Sequence, residues 1–148
     1  MAESGAFVVP SGPRAGWTRW SNPEAEGFFA VLGTFFSLRE GDDRARIAIE
    51  TRSVHANRAA GLHGGLMAGF ADHAFFMALG AMGRPELVGG VTVDLSMQYF
   101  GAGAIGPDLE AEVELLRETG RLLFMRMTLL QGGVAIAASS ATIRKPSR

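Results

Sequence analysis

The sequence predicts an α+β domain in which an antiparallel sheet of about six strands wraps around one long apolar helix. One stretch, from Leu66 to Met82, is apolar on every side of a helix, which is typical of a helix enclosed by other structure. Around it lie segments in which apolar and polar residues alternate, as in strands with one buried face. The chain has 148 residues, of which 47% are hydrophobic and 20% charged, and this composition predicts a soluble protein.

The elements before the apolar helix are predicted from turn and capping signals. Residues 1–21 are expected to form an irregular leader, and the domain is expected to span residues 22–148. The segment Ser21–Glu24 combines capping residues, a proline and an acid, which predicts the start of a short helix. Residues 34–40 and 44–51 flank a Gly-Asp-Asp turn, and we expect them to form a hairpin.

Four more strands are predicted after the apolar helix, which Gly83 and Pro85 should end. They cover residues 91–100, 109–115, 122–130 and 134–144. In the first of them, simple alternation places Thr92 on the side opposite Val93 and Leu95. One face of the resulting sheet should pack on the helix, and the charged face should meet solvent or a second subunit.

Composition excludes several classes of function. Lys and Arg total 14 against 15 Asp and Glu, so the net charge of −1 disfavours binding to nucleic acid or to an anionic membrane. Because the chain has no cysteine, disulfides, thiolate metal sites and a cysteine nucleophile are excluded. We find no convincing targeting signal and expect a cytoplasmic protein without a membrane partner. Three histidines without a second carboxylate nearby predict no metal site, and no cofactor is expected.

An acid inside the apolar helix and a glycine pair at its start are the residues that suggest chemistry. Asp72 lies among apolar neighbours, where a carboxylate loses hydration, so we interpret it as functional rather than as a packing residue. Gly64 and Gly65 precede the helix, where free N–H groups can stabilise negative charge and a substrate carbonyl can approach closely. Such an oxyanion site and a poised carboxylate are what acyl-group hydrolysis needs.

The spacing of these two groups points to a second chain. Asp72 follows Gly64 by eight positions, about 12 Å along a helix, which is too far for both to act on one carbonyl. Either the two groups serve different purposes, or Gly64 of one protomer faces Asp72 of its partner in a two-fold dimer.

The same residues resemble a known family. Asn57, the run His63–Gly65 and Asp72 are similar in type and spacing to the hotdog-fold acyl-CoA thioesterases of the PaaI-like, phenylacetate-pathway type. The resemblance continues through residues 90–95 and 119–124 and covers roughly residues 23–144. It implies a hotdog fold and a thioester hydrolase acting on acyl-CoA.

The resemblance also implies a role for each matching position. Gly64 would donate its N–H to the thioester oxygen, and the amide of Asn57 would assist it. Asp72 of the partner subunit would be the general base or the nucleophile, and Thr92 would help to place water. His63 either holds its loop or lies near the leaving sulfur, while the other two histidines are expected to be structural.

Several further residues are candidates for contacts with CoA or with the acyl group, but each also has an ordinary structural explanation. Arginine suits the phosphates of CoA, although solvated surface charge explains the same residues. An acyl group needs an apolar slot, and core packing explains the aromatic candidates equally well. The phosphate candidates are Arg117, Arg121, Arg144 and Lys145, and the slot candidates are Phe28, Phe29, Phe75, Phe76 and Met77.

The sequence therefore predicts an enzyme that hydrolyses an acyl-CoA to a carboxylic acid and free CoA at a dimer interface. We expect a homodimer, and a tetramer formed from two such dimers. Two alternatives on the same fold are a dehydratase or hydratase that acts on the acyl chain, and a non-catalytic module that binds acyl-CoA.

Overall fold

A computed structural model describes residues 5–147, and its main element is one eight-stranded antiparallel sheet. The spatial order of the strands is β1-β2-β3-β4-β6-β7-β8-β5, so β1 and β5 are the two edges. The strands are β1 (Gly5–Val8), β2 (Thr18–Ser21), β3 (Phe35–Arg39), β4 (Arg44–Ile49), β5 (Val91–Tyr99), β6 (Leu109–Glu118), β7 (Leu122–Gln131) and β8 (Val134–Arg144). The six strands predicted from the sequence are all present, and two more precede them.

The long helix α2 (Gly64–Ala81) packs against one face of this sheet, as predicted. Its side chains fill the core, where the rings of Phe70 and Phe75 are fully buried. The other side of the core is closed by side chains of five strands that face α2. The strands are β3, β4, β6, β7 and β8, and their large buried side chains are Phe35, Ile47, Ile49, Leu109, Leu123, Leu129 and Ile143. Among residues 5–147, no helix is long and apolar enough to cross a membrane.

The N-terminal leader is not irregular over the residues that the structure describes. Residues 5–21 form a hairpin whose second strand pairs with β3, so the sheet extends beyond its expected edge. The hairpin folds Trp17 onto Phe36 and Ala48, on the sheet face opposite α2. Arg14 then lies 4.3 Å over the Trp17 ring and bonds to Asp108 at 2.8 Å. This packing between distant segments has no local signal in the sequence.

The short helix α1 (Phe28–Leu32) starts later than predicted. The expected start at Asn22 is instead a local turn, in which the Asn22 side chain accepts a hydrogen bond from the N–H of Glu24. The helix begins after Gly27, whose φ of 68° and ψ of −153° are almost confined to glycine. The guanidinium of Arg52 donates to two carbonyl oxygens in the last turn of α1 and fixes its end.

Strand β5 is an edge strand, and among residues 5–147 it pairs only with β8. Its register shifts between Thr92 and Asp94, which marks a β-bulge at Val93. Val91, Val93 and Tyr99 are about half exposed or more, at 54%, 62% and 47%. The unpaired backbone of this edge strand, with these apolar side chains exposed on it, is suited to pairing with another strand.

Candidate active site

The structure brings Asp72 and Thr92 together within one chain. Asp72 lies in the middle of α2, and the hydroxyl of Thr92 donates a hydrogen bond of 2.6 Å to its Oδ1. Simple alternation predicted Thr92 on the opposite side from Leu95, and this is wrong. Because the bulge inserts Val93, Thr92 pairs with Ile143 and shares the α2-facing side of β5 with Leu95. The bulge thus turns the hydroxyl toward Asp72.

The start of α2 offers a free N–H group at Gly64. His63 is the N-cap, and its Nδ1 accepts a hydrogen bond of 2.9 Å from the N–H of Gly65. The N–H of Gly65 is therefore already used, and the expected contact of Gly65 with a substrate cannot be made through it. The N–H of Gly64, the first residue of the helix, makes no hydrogen bond within residues 5–147. Gly64 is thus the better oxyanion donor of the pair.

Tyr99 is a site residue that the sequence did not reveal. Its hydroxyl donates a hydrogen bond of 2.5 Å to the carbonyl oxygen of Gly64. Its ring lies 3.5 Å from the position of a Cβ added to Gly64. Alternation placed Tyr99 in an apolar row, and nothing local distinguishes it from a packing residue. Its contact fastens the start of α2 to the end of β5.

Asn57 shapes the loop before α2. Its Oδ1 accepts hydrogen bonds from the N–H groups of Ala59 and Gly61, at 2.9 and 3.0 Å, and its Nδ2 donates to the carbonyl of Leu62 at 3.2 Å. These bonds close the turn that delivers His63 and Gly64 to the helix start. One hydrogen on Nδ2 remains for another acceptor, because an amide NH₂ carries two.

Within one protomer, the Asp72 and Gly64 parts of the site lie apart. Thr92 fixes Asp72 near the start of β5, whereas Tyr99 fixes Gly64 near its end. Along α2, the eight residue steps from Gly64 to Asp72 amount to about 12 Å. A single chain therefore brings together Asp72 with Thr92, and Gly64 with Tyr99, but not the two pairs with each other.

Comparison with known proteins identifies the family. The model of the thioesterase superfamily matches residues 60–138, a segment that includes Gly64, Asp72, Thr92 and Tyr99. The chain belongs to the thioesterase superfamily.

Relatives of this thioesterase-superfamily chain agree with the fold. Human "Acyl-coenzyme A thioesterase 13" is 27% identical over 106 residues, which cover 72% of this chain and 74% of that protein. The crystal structure of zebra fish thioesterase superfamily member 2 superposes with a TM-score of 0.72 at 27% identity, over 83% of this chain and 89% of that one. A mutant of the phenylacetic acid degradation protein PaaI from Thermus thermophilus gives a TM-score of 0.67 at 23% identity, over 82% and 100% of the two chains. The predicted hotdog fold and PaaI-like resemblance are confirmed.

The remaining two histidines of this superfamily member have structural positions, as predicted. His55 is buried; its Nδ1 accepts from the N–H of Arg52 at 3.0 Å and its Nε2 lies 2.6 Å from the carbonyl of Val31. A neutral ring protonated on Nε2 satisfies both bonds.

His73 lies between Phe29 and Phe35, with ring centroids 5.0 and 4.7 Å away. Burial lowers the pKa of His73, and the neighbouring Asp72 only partly opposes that shift.

His73 should make folding sensitive to acid. Since its pKa is lower in the folded state, the unfolded chain binds a proton first, so stability is lost as the pH falls below about 6.5. We expect the melting temperature of the wild type to fall between pH 7 and pH 5, and to fall less in His73→Leu. Thermal unfolding followed at both pH values checks this. Parallel pH profiles of the two proteins would contradict it.

A cleft of about 660 Å³ lies at the end of the sheet beside Arg121 and Arg144. On its wall, Arg84 donates two hydrogen bonds of 2.8 Å to Glu118, and Lys145 also bonds to Glu118. These two cations hold the pKa of Glu118 at about 2. Arg121 and Arg144 have no ion pair among residues 5–147, so their charges are open to an anion.

The aromatic candidates for an acyl slot divide by exposure. Phe75 is fully buried and belongs to the core. Phe76 is half-buried and packs against the core from the side. Phe28 is 54% exposed and is the most exposed of the aromatic candidates. Phe75 is thus excluded as a wall of the slot, whereas Phe76 and Phe28 remain.

Proposed function

We propose that this protein hydrolyses an acyl-CoA thioester to a carboxylic acid and free CoA. The observation that carries the proposal is the pair of complementary groups at opposite ends of β5: a free helix N–H at Gly64 and the Asp72 carboxylate bonded to Thr92. These are a donor for a developing oxyanion and a base for water. Membership in the thioesterase superfamily and the similarity to a protein named acyl-coenzyme A thioesterase support the reaction and the substrate.

A two-fold dimer through β5 would complete the site. If β5 pairs antiparallel with β5 of a second copy, the start of each strand lies beside the end of the other. Asp72, fixed at the start of β5 by Thr92, then approaches Gly64 of the partner subunit, fixed at the end by the partner's Tyr99. The unpaired edge of β5 and its exposed Val91 and Val93 support this association. Two hydrogen bonds inside one chain thus support the proposed pairing.

In this arrangement each group has a defined task. The N–H of Gly64 binds the thioester oxygen, with the second Nδ2 hydrogen of Asn57 as a further donor. Asp72 of the other protomer takes a proton from water as the water oxygen bonds to the carbonyl carbon. Thr92 donates to Asp72 and can accept a hydrogen bond from that water. The tetrahedral intermediate then expels CoA as a thiolate, which takes the proton from Asp72. Attack by Asp72 itself, followed by hydrolysis of the anhydride, is the alternative.

Other substrate contacts would lie on both sides of this centre. Arg121 and Arg144 are the proposed contacts for CoA phosphates, since arginine forms paired hydrogen bonds with phosphate oxygens. Gly65 would line the approach to the carbonyl, and Phe76 would line the acyl slot. The Nδ1 of His63 accepts the hydrogen bond from the N–H of Gly65. Its Nε2 would therefore be the atom that contacts a group near the leaving sulfur.

A panel of acyl-CoAs with detection of the released thiol tests the proposal. We expect free CoA to be formed from at least one aliphatic or aromatic acyl-CoA, in proportion to enzyme. Conversion of an unsaturated acyl-CoA to its hydrated form without thiol release would favour the hydratase alternative. Tight binding of intact acyl-CoA with no turnover would favour the binding module, and either result would contradict hydrolysis.

A tetramer of two dimers is the assembly we propose in solution. The sheet face opposite α2 carries a groove of about 520 Å³ with charges of both signs, including Arg44, Arg126, Glu112 and Glu114. Mixed charges of this kind suit a self-complementary contact between two dimers. Light scattering should give four times the mass of the chain. The cytoplasmic location predicted from the sequence remains a prediction.

A further inference from the structure

Helix α1 carries two adjacent aromatic residues with opposite environments. Phe29 points inward, where its ring contacts His73 and Phe35 at centroid distances of 5.0 and 5.5 Å. Leu32, at the end of the same helix, is 1% exposed. These two side chains fasten α1 to the core. Phe28 is 54% exposed and is not needed for this attachment.

Phe28 lies in a notch that a glycine leaves in α2. A Cβ added to Gly69 would clash with Cζ of the Phe28 ring, so the ring occupies the space of the missing side chain. Gly69 is three residues before Asp72 and therefore lies on the same face of α2, about 5–6 Å away. The ring of Phe28 thus forms an apolar surface beside the proposed catalytic carboxylate.

The backbone around Phe28 holds the ring in this position. Gly27 and Gly33 flank α1 with φ of 68° and 83°, conformations that residues with a side chain rarely adopt. Arg52 donates to the carbonyls of the last turn, and a Cβ on Gly33 would be 3.1 Å from its Nη2. The far end of α1 is therefore fixed, while its first residue projects over Gly69.

From these contacts we propose that Phe28 is a specificity residue that closes the acyl slot beside Asp72 and restricts the enzyme to short or compact acyl groups. This inference rests on the proposed thioesterase function. A chain attached to a carbonyl at Asp72 and running along α2 toward Gly69 meets the Phe28 ring after one helical turn. A smaller side chain would open the notch over Gly69 to a longer chain.

The test compares butanoyl-CoA with dodecanoyl-CoA as substrates of the purified oligomer. In Phe28→Ala, we expect the ratio of kcat/KM for dodecanoyl-CoA to that for butanoyl-CoA to rise about tenfold. Phe28→Trp should lower the same ratio. Phe7→Ala, which removes an exposed phenylalanine from the distant strand β1, is the matched control and should leave the ratio unchanged.

The outcomes separate this inference from the proposed function. No thiol release from any acyl-CoA by the wild type would contradict the thioesterase function itself. An active wild type whose chain-length ratio is the same in Phe28→Ala and Phe28→Trp would overturn only the role of Phe28. An equal loss on both substrates with a smaller mass in light scattering would also overturn it, since Phe28 would then be an interface residue. If Phe28→Ala does not fold, Phe28→Leu should still shift the ratio upward, and an unchanged ratio there would contradict the proposal.

Discussion

Replacing Asp72 with Asn is expected to lower kcat about a thousandfold, while the protein stays folded and oligomeric. The variant keeps an oxygen that can accept the hydrogen bond from Thr92, so the local structure is preserved. It loses the negative charge and the basicity that deprotonate water or attack the thioester. We therefore expect a chemical defect without a packing defect.

Thiol release from the preferred acyl-CoA measures this effect, together with thermal unfolding and light scattering. Asp94→Asn is the matched control, because Asp94 is an exposed acid on the same strand as Thr92 and faces away from α2. Its kcat should stay close to that of the wild type. A fully active Asp72→Asn enzyme would remove Asp72 from the mechanism.

Replacing Gly64 with Pro is expected to lower kcat by about two to three orders of magnitude, the usual cost of removing one oxyanion donor. Proline is well suited to the first residue of a helix, and it replaces the N–H group with a ring carbon that cannot donate a hydrogen bond. The preceding residue, His63, already has φ of −69° and ψ of 130°, the conformation favoured before proline. The fold should therefore tolerate the change.

Gly64→Ala is the control that keeps the N–H group. Its Cβ would lie 3.5 Å from the ring of Tyr99, which is an ordinary contact. We expect this variant to retain most of its activity, as judged by kcat on the preferred acyl-CoA. Equal losses in Gly64→Ala and Gly64→Pro would show that space at this position, rather than its N–H group, matters.

The sequence predicted the parts of the fold whose signals are local. The alternation of residues 109–115 and 134–144 defined strands, and the apolar stretch defined the helix α2. The candidate site residues Asp72 and Gly64 also have local signals, because an acid in an apolar helix and glycines at a helix start have direct physical meanings, and their roles stay predictions. Their assignment did not depend on knowing which segments meet in space.

The features that the sequence did not predict depend on contacts between distant segments. The bulge at Val93 changes which residues share a face, and an alternation pattern has no signal for one inserted residue. The N-terminal hairpin is held by Arg14 and Trp17 against residues far along the chain. Tyr99 reaches the candidate site only through its hydrogen bond to Gly64 of α2, a contact that nothing in the local sequence indicates.

Mixing two inactive variants tests most directly whether each active site contains residues from two chains. The variants Asp72→Asn and Gly64→Pro are expressed with different tags and allowed to exchange subunits. If Gly64 and Asp72 of different protomers meet at one thioester, each mixed dimer contains one site with both groups intact.

Random pairing makes half of the dimers mixed, so the mixture should recover about a quarter of the wild-type activity. The assembly isolated through both tags should recover at least this fraction, because it excludes assemblies built from one variant alone. A mixed dimer no more active than its parents would contradict the account, because it would mean that the two groups do not complete one site across the interface.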